Sequence, residues 1–405
     1  MEDLLTKTQN HLKVLCSDIH ERRVGSKGNR MATSYVKDVF SHYGWDTEAT
    51  LLSVMDWETE GASLECEGRS YEVFSSPYSV GYSGQGEMVA ASTIEELEKS
   101  DMKDRFILLH GLIAVEQIMP KNFVFYNPQN HKRIIELLEK GDPKAIICAT
   151  ERNPSCAGGV YPFPLFEDGD FNIPSVFMKD TEGRKLIECC GKQITLESKA
   201  KRIPETAYNI VARKGADSAQ KIVITAHIDA KAGTPGAIDN ATGVTVLLLL
   251  AGLLKDYSGS YALEIVAFNG EDYYAVPGQM KYIEQKAGDF SDILLNINID
   301  GAGYKDGLSC FSAMALPEKL KSVFDELLKE NSLIVEGLPW VQGDHSIFLQ
   351  YGCPSVVVSS DWLIRNFDKQ KITHTPDDNL NIVNYEQIPV CARAIECLIN
   401  KMRLS

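Results

Sequence analysis

Acidic and imidazole side chains stand directly after several short apolar segments in the second half of the chain. In chain order these residues are His227, Asp229, Glu271, Asp272 and Asp300. Imidazole and carboxylate groups are the ligands that zinc takes from proteins, and cobalt and manganese accept them as well. If the apolar segments are neighbouring strands of one sheet, these side chains meet at one edge and form a site for divalent cations.

The apolar segments that precede these residues are predicted to be strands, and they alternate with helices. The strand segments are KIVITA, YALEIVAFNG, DILLNINI and, further on, CPSVVVSS. Near-continuous apolar strands between helices are typical of a parallel sheet that is covered on both faces. The sequence therefore predicts an α/β fold with a mostly parallel central sheet flanked by helices. In such sheets ligands bind beyond the carboxyl ends of the strands, where the acidic and imidazole residues fall.

Two further residues extend this set. Asp239 precedes a long apolar helix, and His374 lies in the loop THTPDD after the strand SVVVSS. Carboxylates crowded at one sheet edge disfavour one another's charge, and divalent cations remove that cost. Two histidines serve two zinc ions only if carboxylates bridge and complete the ligand sets, as in centres with ions about 3.5–4 Å apart. Glu271 is then left free, and it is the candidate general base.

Each of these residues also has an ordinary structural interpretation when it is taken alone. The alternatives are a helix cap at Asp239, a solvated loop pair at Glu271 and Asp272, a turn residue at Asp300, a buried hydrogen-bonded histidine at His227 and a surface histidine at His374. The convergence of several strand ends on one sheet edge weighs against all of these interpretations holding together.

Other catalytic motifs find no support in the chain. The sequence contains no HExxH zinc motif and no GxxxxGK[ST] phosphate loop, and GYSGQG near Gly81 does not match GxSxG. A serine or cysteine nucleophile therefore lacks a local motif.

Composition excludes several classes of function. The 405 residues suggest two or more domains, and 44% hydrophobic with 24% charged residues is typical of a globular protein. A net charge of −15 without a basic tract argues against nucleic-acid binding, because such a surface repels phosphates.

The chain shows no sign of a membrane span or a secretion signal. Its most apolar stretch, 244–254, has eleven residues, whereas a membrane-spanning helix needs about 20. The first twenty residues carry charges throughout and have no apolar segment of signal-peptide length. The ten cysteines form no CxxC pair and are expected to be reduced thiols. These features predict a cytoplasmic protein that does not bind membranes.

The character of the sequence changes between about residues 51 and 199. Short apolar runs (RFILLHG, KAIICAT, IPSVFMKD) flank one clear helix, HKRIIELLEKGD, and glycine, proline and serine are frequent. This stretch contains no cluster of histidines, cysteines or paired acidic residues. We interpret 51–203 as a separate, small β-rich domain that is inserted into a domain formed by 1–50 and 204–405.

Five motifs, in order and spacing, resemble those of the di-zinc aminopeptidase family. They are HID…PGAIDNATGV, FNGEDYYAVPGQMKY, NIDGAG, GDHSIFLQYGCPSV and THTPDDNL. This family is similar to bacterial leucyl aminopeptidases and includes glutamate carboxypeptidase, the glutaminyl cyclases and the transferrin receptor ectodomain. The N-terminal ERRVGSKGN is similar to the family's opening. The resemblance covers 1–50 and 204–405 and implies a zinc exopeptidase-like catalytic domain; residues 51–203 resemble a protease-associated domain.

The resemblance implies a role for each member of the set. The implied metal ligands are Asp239, which bridges two ions, His227 and Asp300 on one ion, and Asp272 and His374 on the other. Glu271 is implied as the general base, and Asp229 as the residue that orients His227. The family usually has glutamate where Asp272 stands, so the backbone must come closer there or that metal binds more weakly.

One more motif of the family falls outside this set. Asp344 and His345 match its Asp-His pair, for which we expect a structural histidine.

The sequence thus predicts a metal-dependent aminopeptidase whose substrates are peptides with a free N-terminus. Two divalent ions are expected as cofactors, with Zn²⁺ first and Co²⁺ or Mn²⁺ as alternatives. Other candidates are a single-zinc glutaminyl cyclase, a carboxypeptidase on the same scaffold and an inactive binding homologue. The cyclases typically have serine after the bridging aspartate, where this chain has Asn240. The sequence makes no prediction of the oligomeric state.

Overall fold

A computed structural model describes residues 2–153, 159–215 and 220–402 of the chain. The strands, in chain order, are β1 (Asp46–Cys66), β2 (Arg69–Tyr71), β3 (Phe74–Ser75), β4 (Tyr82–Ala91), β5 (Phe106–Leu109), β6 (Ala145–Thr150), β7 (Ser175–Lys179), β8 (Gln193–Lys214), β9 (Lys221–His227), β10 (Ala262–Phe268), β11 (Ile293–Ile299), β12 (Ser309–Met314), β13 (Ile334–Glu336) and β14 (Ser355–Ser360).

Helices connect most of these strands. They are α1 (Glu2–Lys13), α2 (Lys27–His42), α3 (Ile94–Lys99), α4 (Gln129–Gly141), α5 (Asp180–Leu186), α6 (Thr242–Leu253), α7 (Pro277–Gln285), α8 (Glu318–Glu330), α9 (His345–Gln350), α10 (Asp361–Arg365) and α11 (Gln387–Met402). The last helix, α11, ends at Met402.

The chain divides into two compact units. The first contains Met1–Val54 and Thr206–Ser405, and the second contains Met55–Glu205. Both boundaries fall within or next to long strands, β1 and β8. The interpretation of 51–203 as a protease-associated-like insertion stays a prediction.

The first unit has a central sheet in the order β13-β12-β14-β11-β9-β10-β8. Neighbours from β14 through β11 and β9 to β10 are parallel, whereas β12 and β8 run antiparallel to β14 and β10. The predicted α/β fold with a mostly parallel sheet is confirmed. The apolar segment before the strand β10 forms the buried helix α6, whose residues 242–251 are all buried.

Strand register places the carboxyl ends of the central strands side by side. Phe268 at the end of β10 pairs with His227 at the end of β9, and Ile299 at the end of β11 pairs with Val358 of β14. The next residue, Asp300, donates its backbone N–H to the Val358 carbonyl at 2.8 Å. The residues that follow β9, β10 and β11 therefore leave the sheet at the same edge.

The second unit has its own sheet and core. The strands β4, β5, β6 and β7 are parallel neighbours, and β3 and the first part of β8 pair antiparallel with β7 and β4. The helices α3, α4 and α5 belong to this unit. Its apolar residues form two clusters, one of which includes Leu109, Ile135 and Phe163.

Cysteine state and membrane-spanning potential can be stated for the described residues. The nine cysteines among them are free thiols, and Cys156 lies outside. Within the described ranges, every helix is too short or too polar to cross a membrane.

Candidate metal centre

The turn between β9 and α6 presents the carboxylate of Asp239. This residue lies in a π-helical turn, Ala237–Ala241, with non-helical backbone angles (φ −118°, ψ 82°). Its neighbour Asn240 accepts the N–H of Gly243 at 3.1 Å and donates to the carbonyl of Ile299 at 2.8 Å. Because Asn240 makes these contacts at the helix start, the alternative of Asp239 as the helix cap is wrong.

The first group of candidate ligands forms around His227, which is 1% exposed. Its Nε2 lies 3.2 Å from Oδ1 of Asp239 and 3.6 Å from Oδ1 of Asp300. Both carboxylates are half-buried. The ends of β9 and β11 thus bring one imidazole and two carboxylates together.

The second group forms on the other side of Asp239. Nε2 of His374 lies 3.3 Å from Oδ2 of Asp239 and 3.1 Å from Oδ1 of Asp272. Asp239 therefore faces one histidine with each of its two oxygens. Asp272 reaches the group although its side chain is one methylene shorter than that of glutamate. Weaker metal binding at Asp272 stays a prediction.

The spacing within both groups fits a divalent cation. Within each group one ligand atom per residue lies within 4.8 Å of the others. Four ligands at zinc bond lengths of about 2.0–2.1 Å are separated by about 3.3 Å, close to the nitrogen–oxygen distances described above. Among the described residues, neither ring nitrogen of His227 nor Oδ2 of Asp272 has a hydrogen-bond partner, although all three atoms are buried. Buried polar atoms without partners are costly, and metal coordination satisfies them.

The electrostatics of the cluster also favour a cation. Burial opposes a charged His227, but contacts with Asp229 and the other aspartates outweigh burial and hold the pKa of the imidazole well above its usual value. Burial raises the pKa of Glu271 well above its usual value; His227 opposes this, and Asp272 adds to it. Without a cation the cluster retains protons to limit its negative charge, and a divalent ion takes over that role.

Asp229 lies behind the cluster and holds a second ligand-bearing turn. Its carboxylate accepts the backbone N–H groups of Gly270, Glu271 and Asp272 at 2.6, 3.2 and 3.0 Å. One of its oxygens also lies 3.7 Å from Nδ1 of His227. The structure thus places Asp229 beside His227 and gives it the additional contact with the turn at 270–272.

Glu271 stands at the rim of the cluster. Its carboxylate is half-buried and forms a third close group with His227 and Asp272. Glu271 therefore lies close to one member of each candidate ligand group.

Asp378 supports Asp239 directly. It belongs to the motif THTPDDNL, but the sequence alone predicts no function for it. It is fully buried, and its carboxylate accepts the N–H groups of Ile238 at 2.7 Å and Asp239 at 3.0 Å. Burial and the nearby Asp239 raise the pKa of Asp378 to about 7. Asp378 lies four residues after His374, so it ties the two ligand-bearing loops together. The spacing to His374 is the only sequence signal that could have found it.

Replacing Asp378 by asparagine is expected to weaken zinc binding about 10-fold or more, as for other residues that support metal ligands. Asparagine keeps the size of the side chain but has only one acceptor oxygen for the two N–H groups. The measurement is a zinc titration against a chromophoric chelator. The matched control is Asp377→Asn, because Asp377 is exposed. Equal zinc affinities of Asp378→Asn and wild type would show that this carboxylate does not position Asp239.

The Asp-His pair, Asp344 and His345, is buried and hydrogen-bonded. Asp344 is buried and accepts a hydrogen bond from Nε2 of Gln279 at 2.7 Å. Nε2 of His345 donates to the carbonyl of Trp340 at 2.9 Å, and burial lowers the pKa of His345 to about 4. His345 is thus a neutral, hydrogen-bonded residue and is absent from the close ligand groups of the described residues.

Parts of the chain are similar to known proteins. Residues 209–399 match the model of the family described as Peptidase family M28. Aminopeptidase YwaD of Bacillus subtilis is 24% identical over 245 residues, which cover 56% of this chain and 50% of YwaD. The probable lipoprotein aminopeptidase LpqL of Mycobacterium tuberculosis is 24% identical over 292 residues, covering 69% and 54%. The chain spans about half the length of the curated relatives it matches.

Solved structures share the fold over almost the whole chain. An aminopeptidase from Aneurinibacillus sp. strain AM-1 has a TM-score of 0.74 at 20% identity, with 98% of this chain and 93% of that chain covered. BSAP, described as a zinc aminopeptidase from Bacillus subtilis, has a TM-score of 0.74 at 18% identity, with coverage of 98% and 94%. The resemblance to the aminopeptidase family that the sequence motifs indicate is confirmed.

Proposed function

We propose that this chain, whose residues 209–399 match peptidase family M28, is a metal-dependent aminopeptidase that hydrolyses N-terminal residues from peptides. One observation carries the proposal: the two oxygens of Asp239 face His227 and His374 at 3.2 and 3.3 Å. A carboxylate between two imidazoles is placed to bridge two ions, as a two-metal hydrolytic centre can use it. The relatives named as zinc aminopeptidases support the same activity.

The ligands of the two ions follow from the close groups. His227, Asp239 and Asp300 would hold one ion, and the second would lie among Asp239, Asp272 and His374. Zn²⁺ suits this mixture of imidazole and carboxylate, and Co²⁺ or Mn²⁺ are alternatives. When bound, such ions lower the pKa of a water molecule and polarise the carbonyl of the scissile bond.

Glu271 would move the proton in this reaction. Its carboxylate accepts a proton from the attacking water and then donates it to the nitrogen of the leaving peptide. The position of Glu271 supports this role, because its carboxylate lies close to His227 and Asp272, which belong to the two ligand groups. Asp229 would keep Glu271 in place through the backbone contacts at 270–272.

A free N-terminus is the substrate feature that the relatives favour. Proteins named as aminopeptidases are found both among the similar sequences and among the similar structures. These names favour an aminopeptidase over a carboxypeptidase. A cytoplasmic location stays a prediction.

A panel of blocked peptides on metal-analysed protein tests the proposal. We expect cleavage of a peptide with a free N-terminus, no cleavage of its N-acetylated form, and unchanged cleavage of its C-terminally amidated form. Loss of activity on amidation alone would identify a carboxypeptidase. A metal content near one per chain, with cyclisation of an N-terminal glutamine, would identify a glutaminyl cyclase. Failure to cleave any peptide with metal bound would leave the binding homologue.

A further inference from the structure

The N-terminal motif ERRVGSKGN contains an arginine that is only 2% exposed. The guanidinium of Arg22 donates to backbone carbonyls at four positions. They are Leu15 at 2.6 Å, Pro235 and Gly236 at 2.8 Å and Ile228 at 2.9 Å. A buried charge is costly unless its donors are satisfied, and these carbonyl oxygens accept four of the five N–H groups.

Three of the four carbonyls belong to the segment that joins two candidate metal ligands. Ile228 directly follows His227, and Gly236 stands three residues before Asp239. The donors of a guanidinium have a fixed planar geometry, unlike the single nitrogen of lysine. Because one guanidinium contacts both ends of this segment, Arg22 fixes the distance between them.

Near its second end, at Gly236, the segment has no room for a side chain. Gly236 has a positive φ of 58°, and a Cβ atom there would lie 2.5 Å from the carbonyl oxygen of Asp239 and 2.9 Å from Nη2 of Arg22. On the other side of the turn Asp378 accepts the N–H groups of Ile238 and Asp239. The turn is thus held through its carbonyls by Arg22 and through its amides by Asp378.

We propose that Arg22 is a positioning residue for the metal centre: its guanidinium sets the backbone of 228–236 so that His227 and Asp239 face one cation. The inference rests on the proposed function, because it assumes that these residues bind metal. This role explains the presence of Arg22 in the motif ERRVGSKGN. Helix formation does not explain it, because Arg22 lies between the described helices α1 and α2.

The test is the zinc affinity of folded Arg22→Lys, measured by competition with a chromophoric chelator. Lysine keeps the charge but cannot contact all of these carbonyls, so affinity is expected to fall about 10–100-fold. The matched control is Arg202→Lys. Arg202 also donates to backbone carbonyls, namely those of Tyr78, Asp168 and Phe171, all within the unit 55–205. The control is expected to lower the unfolding temperature and leave zinc affinity unchanged.

Three outcomes would overturn the inference. Wild-type zinc affinity in folded Arg22→Lys would do so, and so would an equal loss in Arg202→Lys, because the effect would then reflect general stability. If Arg22→Lys does not fold, Arg22→Gln, which removes the buried charge and keeps one NH₂ group for these carbonyls, decides by the same titration, and normal affinity there contradicts the inference. A wild-type protein that binds no zinc would instead contradict the proposed function, so the two failures are distinguishable.

Discussion

Replacing Glu271 by glutamine will abolish peptide turnover and leave the metal content unchanged. Glutamine has nearly the same size but cannot accept a proton from water. General bases contribute about 10²–10⁴-fold to such reactions, and a 10³-fold loss corresponds to about 4 kcal/mol of transition-state stabilisation. The measurement is kcat on a free peptide, together with metal analysis of the same sample. Because Glu271 lies outside the two predicted ligand sets, zinc affinity is expected to stay within a few-fold of wild type.

The matched control for this variant is Glu284→Gln. Glu284 lies on α7, is 71% exposed and pairs with Lys281 at 3.0 Å. Its replacement is expected to leave kcat unchanged. Near-normal hydrolysis by Glu271→Gln would show that another group moves the proton. Loss of metal in that variant would show that Glu271 is a ligand.

Replacing Asp239 by asparagine is expected to remove both metals and all activity. The two oxygens of Asp239 face the two histidines, so its charge is shared between the two groups. A neutral amide supplies one weaker oxygen and a donor that repels a cation. Burial opposes a charged Asp239, but the contacts with His227 and His374 outweigh burial and hold the pKa of this carboxyl below its usual range, so it is available as an anion for metal binding.

Metal content after dialysis, measured on Asp239→Asn and wild type, tests this expectation. Asp306→Asn serves as the control, because Asp306 is exposed. Content well below half of the wild-type value, with a folded circular dichroism spectrum, is the expected result. Retention of one ion at full occupancy would show that the two sites do not share Asp239.

Much of the site could be predicted from the sequence, because the ends of the apolar strand segments are recognisable there. The segment KIVITA is apolar and β-branched, and the strand β9 ends at His227 as expected. The strands β10 and β11 end at Phe268 and Ile299, directly before the turns that carry Glu271 and Asp300. Once a parallel sheet is predicted, the meeting of these ends is a geometric consequence.

Other features could not be predicted because they depend on contacts between distant residues. The strands β12 and β13 are short, and they form by pairing at the edge of the sheet. Asp378 and Arg22 act on backbone groups 139 and 206 residues away in the chain, and a single sequence records no such pairing. Asn240, rather than Asp239, makes the contacts at the start of α6, a choice that local propensity cannot decide because both residue types are good caps.

The most direct test of the metal-dependent mechanism is a titration of chelator-stripped protein with Zn²⁺ while the hydrolysis of one free peptide is followed. We expect no hydrolysis by the stripped protein and recovery of activity that saturates near two equivalents of Zn²⁺, with the N-acetylated peptide uncleaved throughout. Full activity of the stripped protein, or saturation of activity without any bound zinc, would contradict the assignment of His227, Asp239, Asp272, Asp300 and His374 as a metal centre.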